Sequence, residues 1–287
     1  MGFKKKLIKN LEEKLSQEEL ELLPSSYQTL GKVIIIKLPP ELLNKKDMIA
    51  DTYLEILHYM RSVYLNQGKI EGQFREPERI EYVAGEKNPI VEHKEHGVVY
   101  RFNIKKIMFS KGNINERKHL ASLVKNGETI VDMFAGIGYF SLPIAVLSKP
   151  KKIYSIELNP TAYEFFVENI RINHVENILE PVYGDCKEEV LKLSEKGIKA
   201  DRIIMGVFPA PKEYIEEALT LARDSGTILH YEGVVDKDKD LVLFKEFSEI
   251  AKKSGFSSQL KDKRLVKSYG PNLYHIVYDI FVKKEEK

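Results

Sequence analysis

Two glycines and one carboxylate carry the chemistry that can be read first. The apolar run Thr129 to Phe134 empties through Ala135 into Gly136-Ile137-Gly138, and Glu157 closes a second run, Lys152 to Ile156, 21 residues beyond Gly136. Glycines at a strand-to-helix turn let the backbone approach a ligand, and a carboxylate at that distance accepts from two ribose hydroxyls. A nucleoside-containing cofactor is therefore expected. The dinucleotide fingerprint is incomplete, because Ser141 stands where its third Gly or Ala belongs. Asp185 follows Gly184 after a third strand-like run, placed to accept from an adenine amino group beside the backbone N–H of Cys186. The same Asp suits a helix cap, and the two roles are compatible. Gly206 ends a fourth run, and Cys186 as a nucleophile has no His or Asp partner implied by spacing.

Such residues act together only if strands present them on one edge. From Ile107 onward the pattern alternates, with strands expected at 129–134, 152–157, 179–183, 201–207 and 226–232. Helices are expected between them at 113–125, 138–147, 160–173, 185–196 and 211–222, and Asn159-Pro160 reads as a cap followed by Pro at the first helical position. The chain closes with a strand at 265–269, a Gly270-Pro-Asn272 turn and a strand at 274–282. This predicts an α/β fold with a largely parallel sheet, finished by an antiparallel hairpin. Gly136, Glu157, Asp185 and Gly206 then share its carboxyl edge, where ligands bind in such sheets. Upstream, residues 1–24 read as one amphipathic helical extension. A small α+β domain follows over 25–106, with strands at 33–38, 62–65, 79–83 and 98–102 and a helix at 40–61, and the domain bearing the glycine motif spans 107–287.

Composition narrows the setting. Across 287 residues, 43% hydrophobic content supports a core, while the single cysteine excludes an internal disulfide and a Cys-rich zinc site. No metal is expected. No apolar run approaches the roughly 18 residues of a membrane span. Lys6 breaks the myristoylation pattern begun by Met1-Gly2, and the basic start is not followed by an apolar signal core. A cytoplasmic monomer is expected. Net charge is only +2, but Arg101, Lys105, Lys106, Lys111, Arg117 and Lys118 face Glu116 alone between 101 and 119, and Lys261, Lys263, Arg264 and Lys267 face Asp262. Such clusters contact phosphates or form solvated faces.

The form Asp132-x-Phe134-x-Gly136-x-Gly138 resembles the first motif of class I S-adenosylmethionine (SAM) dependent transferases, whose Rossmann-like domain holds a seven-stranded sheet. With it, Ile107 to Ser110, Asn115-Glu-Arg117, Asn159-Pro160, Glu168-Asn-Ile170 and Asp201 to Gly206 resemble one tRNA-modifying family. That family contains the tRNA guanine N1-methyltransferases acting 3′ of the anticodon and their wyosine-pathway relatives. Gly72-x-x-Arg75-x-Pro77 and Lys267-Ser-Tyr-x-Pro271 with His275 resemble its flanking motifs, so the resemblance covers about residues 25–282. The methyltransferase branch carries Ser-Pro-Arg where this chain has Ser110-Lys-Gly112, and Met-Asn-Leu-Pro where it has Met205-Gly-Val-Phe-Pro209. The Arg and Asn implicated in methyl transfer are thus both absent. The chain is similar instead to the aminocarboxypropyltransferase branch, which moves the 3-amino-3-carboxypropyl group of SAM to C7 of 4-demethylwyosine in tRNA(Phe). Cys186 where Asn usually follows the Asp, and Val207 to Pro211, depart from that branch.

The resemblance implies SAM contacts from Ser110, Arg117, Phe134, Ala135, Gly136, Gly138, Glu157, Asp185, Cys186 and Gly206, with Ser110 and Arg117 on the methionine carboxylate. It implies tRNA phosphate contacts from Lys105, Lys106, Lys111, Lys263, Arg264 and Lys267, with position 37 of the anticodon loop leaving its stack. Tyr139, Phe208 or Tyr269 could stack on that base, while His93 and His275 read as structural. C7 is electron-rich and can attack before losing its proton, so no general base is assigned. The alternatives are a guanine N1-methyltransferase, a nicotinamide-binding oxidoreductase, and an inactive RNA-binding protein on the same fold.

Overall fold

A computed structural model describes residues 2–68, 70–71, 76–77 and 79–285. Gly72 and Arg75 lie outside them, and Tyr269 is described through its backbone alone. The chain divides into two compact units, one running through Glu95 with Val99–Phe109, the other comprising His96–Val98 and Ser110–Lys287.

In the first unit the expected single helix over 1–24 is two helices, Phe3–Leu11 and Gln17–Leu22. The break is a capping box: Ser16 Oγ accepts from the Glu19 N–H at 3.3 Å, and the Ser16 N–H donates to Glu19 Oε2 at 2.9 Å. The extension is also no appendage. Leu7, Leu11, Leu15, Leu20 and Leu23 share one core with Ile34, Ile36, Ile49, Tyr53, Val63 and Leu65. The sheet orders Gln28–Leu30, Val33–Ile36, Ser62–Asn66 and Ile80–Gly85. The helix expected over 40–61 is a short 3-10 turn, Pro40–Lys45, then an α-helix, Lys46–Ile56. Strands Gln28–Leu30 and Ile90–Glu95 were not expected.

In the second unit we number elements from the sheet that bears the motifs. Its strands are β1 Thr129–Asp132, β2 Lys152–Glu157, β3 Leu179–Tyr183, β4 Arg202–Met205, β5 Thr227–Asp236, β6 Phe256–Gly270 and β7 Leu273–Lys284. Its helices are α1 Ile114–Leu123, α2 Ser141–Leu147, α3 Pro160–Ile172, α4 Cys186–Glu195, α5 Ile215–Thr220 and α6 Val242–Lys253. The sheet order is β3-β2-β1-β4-β5-β7-β6; β1 to β5 run parallel, and β7 is antiparallel to both neighbours. This is the seven-stranded, largely parallel sheet that the resemblance implies. Two departures matter. Helix α2 starts at Ser141 rather than 138, because Gly136 and Gly138 hold positive φ (59° and 96°) that an α-helix cannot use. Helix α6, not expected, buries Leu243, Phe247 and Ala251, spaced four apart on one face.

Candidate active site

The parallel strands deliver their carboxyl ends to one edge, and hydrogen bonds tie those ends together. The Met133 N–H donates to Ile204 O, the Ala135 N–H to Ile156 O and the Gly184 N–H to Glu157 O, at 2.9–3.1 Å. The glycines shape the loop rather than offering it donors. The Gly136 N–H donates to Glu157 Oε2 at 2.6 Å, and the Gly138 N–H to Ala135 O at 2.9 Å. A Cβ on Gly136 would lie 2.5 Å from the Tyr139 ring; one on Gly138 would lie 2.6 Å from Leu142 and 2.8 Å from Phe166. Both N–H groups are thus engaged within the protein. Asn169, buried on α3, donates to Ile137 O at 3.2 Å and fixes the loop from beneath.

Glu157 is half-buried at the end of β2. Burial pushes its carboxyl above the ordinary range, against the N–H groups of Asn159, Gly136 and Leu158. Oε1 accepts from the Asn159 N–H at 2.7 Å. Asn159 caps α3 as expected, its Oδ1 accepting from the N–H groups of Thr161 and Ala162. Asp132, a motif residue to which the sequence assigns no role, is fully buried: Oδ2 accepts from Ser141 Oγ at 2.5 Å, and Oδ1 from the Phe134 N–H at 3.3 Å. Ser141 Oγ also lies 2.8 Å from Ser155 Oγ. The residue that breaks the dinucleotide fingerprint therefore bridges β1, β2 and α2. Burial pushes Asp132 up to about 7 despite the Ser141 and Phe134 donors.

Asp185 caps α4, its Oδ1 accepting from the Lys187 N–H at 2.9 Å. Cys186 is buried in the core, and burial with Asp185 nearby pushes its thiol well up, so it is no nucleophile. The Phe134 ring meets Tyr214 edge-on at 5.0 Å. Beyond β4, a Cβ on Gly206 would stand 3.1 Å from the Phe140 ring and 3.5 Å from Cδ of Glu232. Glu232, on β5, is 2% exposed, and its Oε2 accepts from Nε2 of the fully buried His275 on β7 at 3.0 Å. His275 also meets the Phe208 ring edge-on at 4.7 Å. The sequence signal for Glu232 is one acid inside the otherwise uncharged run Thr227 to Val235.

Ser110, Arg117 and Lys267 come together. Lys267 Nζ donates to Ser110 Oγ at 2.7 Å, and buried Arg117 donates through Nη1 to Ser110 O at 3.1 Å. The Lys267 stem lies 2.8 Å from where a Cβ on Gly112 would be, so it lines the space of the missing Arg. Arg264 needs correction as a phosphate contact. Its guanidinium donates to Glu116, Asp262 and Asp279. Asp279 lies 2.5 Å from His230 Nδ1, His230 Nε2 lies 2.6 Å from Arg202, and Arg202 donates to Glu128. Arg264 thus joins a chain of ionic groups that runs through β7, β5 and β4. Burial would raise the Asp279 carboxyl, but His230 and Arg264 hold it well below its usual range. Lys263 pairs with Asp240 at 2.5 Å, while Lys105, Lys106 and Lys111 are exposed. His93 is structural, accepting from the Gly31 N–H and facing Glu95, each at 3.2 Å. Among the described residues no group of three or more His, Cys, Asp or Glu is arranged to hold a metal ion, and no helix is long and apolar enough to cross a membrane.

Residues 91–259 match a profile described as the TRM5/TYW2 methyltransferase domain, and residues 7–88 match one described as the TYW2 N-terminal domain. A Pyrococcus horikoshii tRNA(Phe) (4-demethylwyosine(37)-C(7)) aminocarboxypropyltransferase is 37% identical over 99% of this chain and 98% of its own. The tRNA (guanine(37)-N(1))-methyltransferase Trm5b of Pyrococcus abyssi is 32% identical over 93% of this chain and 77% of its own. The crystal structure of P. horikoshii TYW2 in complex with MeSAdo superposes with a TM-score of 0.83 at 33% identity, covering 99% of this chain and all of the other.

Proposed function

Because the chain belongs to the TRM5/TYW2 family, we propose that it transfers the 3-amino-3-carboxypropyl group of SAM to C7 of 4-demethylwyosine at position 37 of tRNA(Phe). The observation that carries this reading over methyl transfer is Gly206. The methyltransferase branch places an Asn side chain here to manage the target nitrogen. In this chain Phe140 and Glu232 stand 3.1 and 3.5 Å from the first atom of any such side chain. Gly112 removes the second group tied to methyl transfer, and Lys267 lies along its vacant flank.

The residues fit SAM. Glu157 closes β2 with a half-buried carboxylate suited to two ribose hydroxyls, and Asp185 with the Cys186 N–H suits adenine. The bare Cα of Gly136 makes room for the Tyr139 ring, which a side chain there would strike. Bound SAM supplies a sulfonium whose three carbons are all activated toward nucleophiles. What this chain does is choose among them by alignment, which supplies much of the rate. Ser110 with Lys267 and Arg117 forms a donor cluster suited to the methionine carboxylate. Lys105, Lys106 and Lys111 would meet tRNA phosphates, and Tyr139 or Phe208 would stack on the everted base. The acceptor lies in the anticodon loop, and the enzyme works as a monomer in the cytoplasm.

The test is nucleoside mass spectrometry after incubation with tRNA bearing the tricyclic precursor, using SAM labelled in the carboxyl or in the methyl carbon. Carboxyl label alone should enter the tRNA. Methyl label in the product would make the chain a methyltransferase.

A further inference from the structure

The proton that C7 must lose has no assigned acceptor, and the structure offers one where the branch comparison leaves a gap. Glu232 Oε1 lies 3.6 Å from the position of a Cβ on Gly206. A carboxylate from β5 therefore stands beside the space that an Asn from β4 would use in the methyltransferases. The parallel register sets this placement: Met205 pairs with Tyr231, so Gly206 and Glu232 are the next residues along. Phe140, reaching in from the glycine loop, borders the same space and joins it to the cofactor edge.

The bonds among the described residues give this acid no structural cation. It is 2% exposed, between Tyr231 and Gly233 and opposite Val277 of β7, and among the described residues no Lys or Arg pairs with it. Its charge partner among the described residues is His275, whose Nε2 faces Oε2 at 3.0 Å. His275 is itself fully buried, and its Nδ1 has no hydrogen-bond partner. A buried carboxylate on an imidazole with one nitrogen unsatisfied costs folding free energy. Such arrangements concentrate where protons move.

We propose that Glu232 is the base that takes the C7 proton, with His275 as a positioning residue that holds Oε2 and turns Oε1 toward the acceptor. The inference rests on the transfer reading above. C7 bonds to the γ carbon of the donor's amino-acid arm, while that carbon's bond to sulfur breaks and its electron pair stays on sulfur. The C7–H pair then returns to the ring, the proton passes to Glu232 Oε1, and water takes it after product release. Methylthioadenosine, modified tRNA and one proton are the products, and the charge of the sulfonium leaves as that proton.

The experiment uses the full chain, SAM, and tRNA whose tricyclic base carries hydrogen or deuterium at C7. Wild-type single turnover should be insensitive to deuterium, because proton loss follows attack quickly. Glu232→Gln should bind SAM within about twofold of wild type by calorimetry, yet lose on the order of 100-fold or more in turnover rate. The residual rate should slow further with deuterium. His275→Gln, which keeps an N–H, should retain more rate than His275→Leu. If Glu232→Gln fails to give a cooperative melt, Glu232→Asp keeps the charge but withdraws the oxygen, and should show the same deuterium sensitivity. A Glu232 variant turning over within about threefold of wild type overturns the proposal. So does a slow variant blind to deuterium, or one whose loss follows SAM affinity. If wild type itself transfers nothing, the functional reading has failed; if it transfers while Glu232 variants do too, only this inference has.

Discussion

Glu157 shows how one side chain can serve a loop and a ligand at once. Its two oxygens take the N–H groups of Gly136 and Asn159, so the acid that would hold the ribose also fixes the turn beneath it. Glu157→Ala should weaken SAM binding at least about tenfold, equivalent to about 1.4 kcal/mol, by isothermal calorimetry. Asp132 makes a different prediction. Its carboxyl sits at about 7 when folded, against roughly 4 in an unfolded chain. The folded state therefore holds an extra proton across that window, so stability is full below about pH 4 and falls as pH rises toward 7. Asp132→Asn should remove that loss, worth a few kcal/mol at most. Its melting temperature should exceed wild type at pH 8 and approach it at pH 5. A parallel decline of both proteins between these values would refute the assignment.

At the scale of elements, the turn between β1 and α2 is the part that tolerates least. Gly138 combines φ of 96° with a Cβ position within 2.8 Å of both Leu142 and Phe166. Gly138→Ala should cost at least about 2 kcal/mol, measured by urea unfolding. This turn was legible in the sequence because its requirements are local: a strand, a sharp reversal, a helix. Asn159-Pro160 was legible for the same reason. The pairing of Glu232 with His275 was not, since they sit 43 residues apart and meet only once β5 and β7 pair. The carboxylate pairing of Arg264 is hidden for a stronger version of that reason, its partner Glu116 lying 148 residues away. A basic cluster in sequence carries no mark of which cations the fold will neutralise. Leu spacing runs on through Ser16-x-x-Glu19, but the capping there outweighs periodicity and divides the helix.

For the whole molecule, the two kinds of basic residue should separate experimentally. Arg264→Gln leaves Glu116 and Asp279 short of their shared cation, and should destabilise the fold by on the order of 2 kcal/mol, read by thermal or denaturant unfolding. Replacing exposed Lys105 and Lys106 by Ala should leave unfolding unchanged. It should lower tRNA affinity and reduce the slope of log affinity against log salt by roughly 1–2. Loss of tRNA binding in Arg264→Gln without loss of stability would restore that residue to the RNA surface. The sheet's two margins carry a last consequence. At one, β3 is five residues long with Pro181 at its centre, which withholds a donor from any incoming strand. At the other, β6 breaks register three times and sets Lys261, Asp262, Lys263 and Arg264 in a row, a combination that bends and charges an open border. A fifteen-residue rim of unsatisfied backbone would otherwise invite copies of the chain to zip together into aggregates. Blunted at both sides, the sheet can end where it does without offering a straight edge to a second copy.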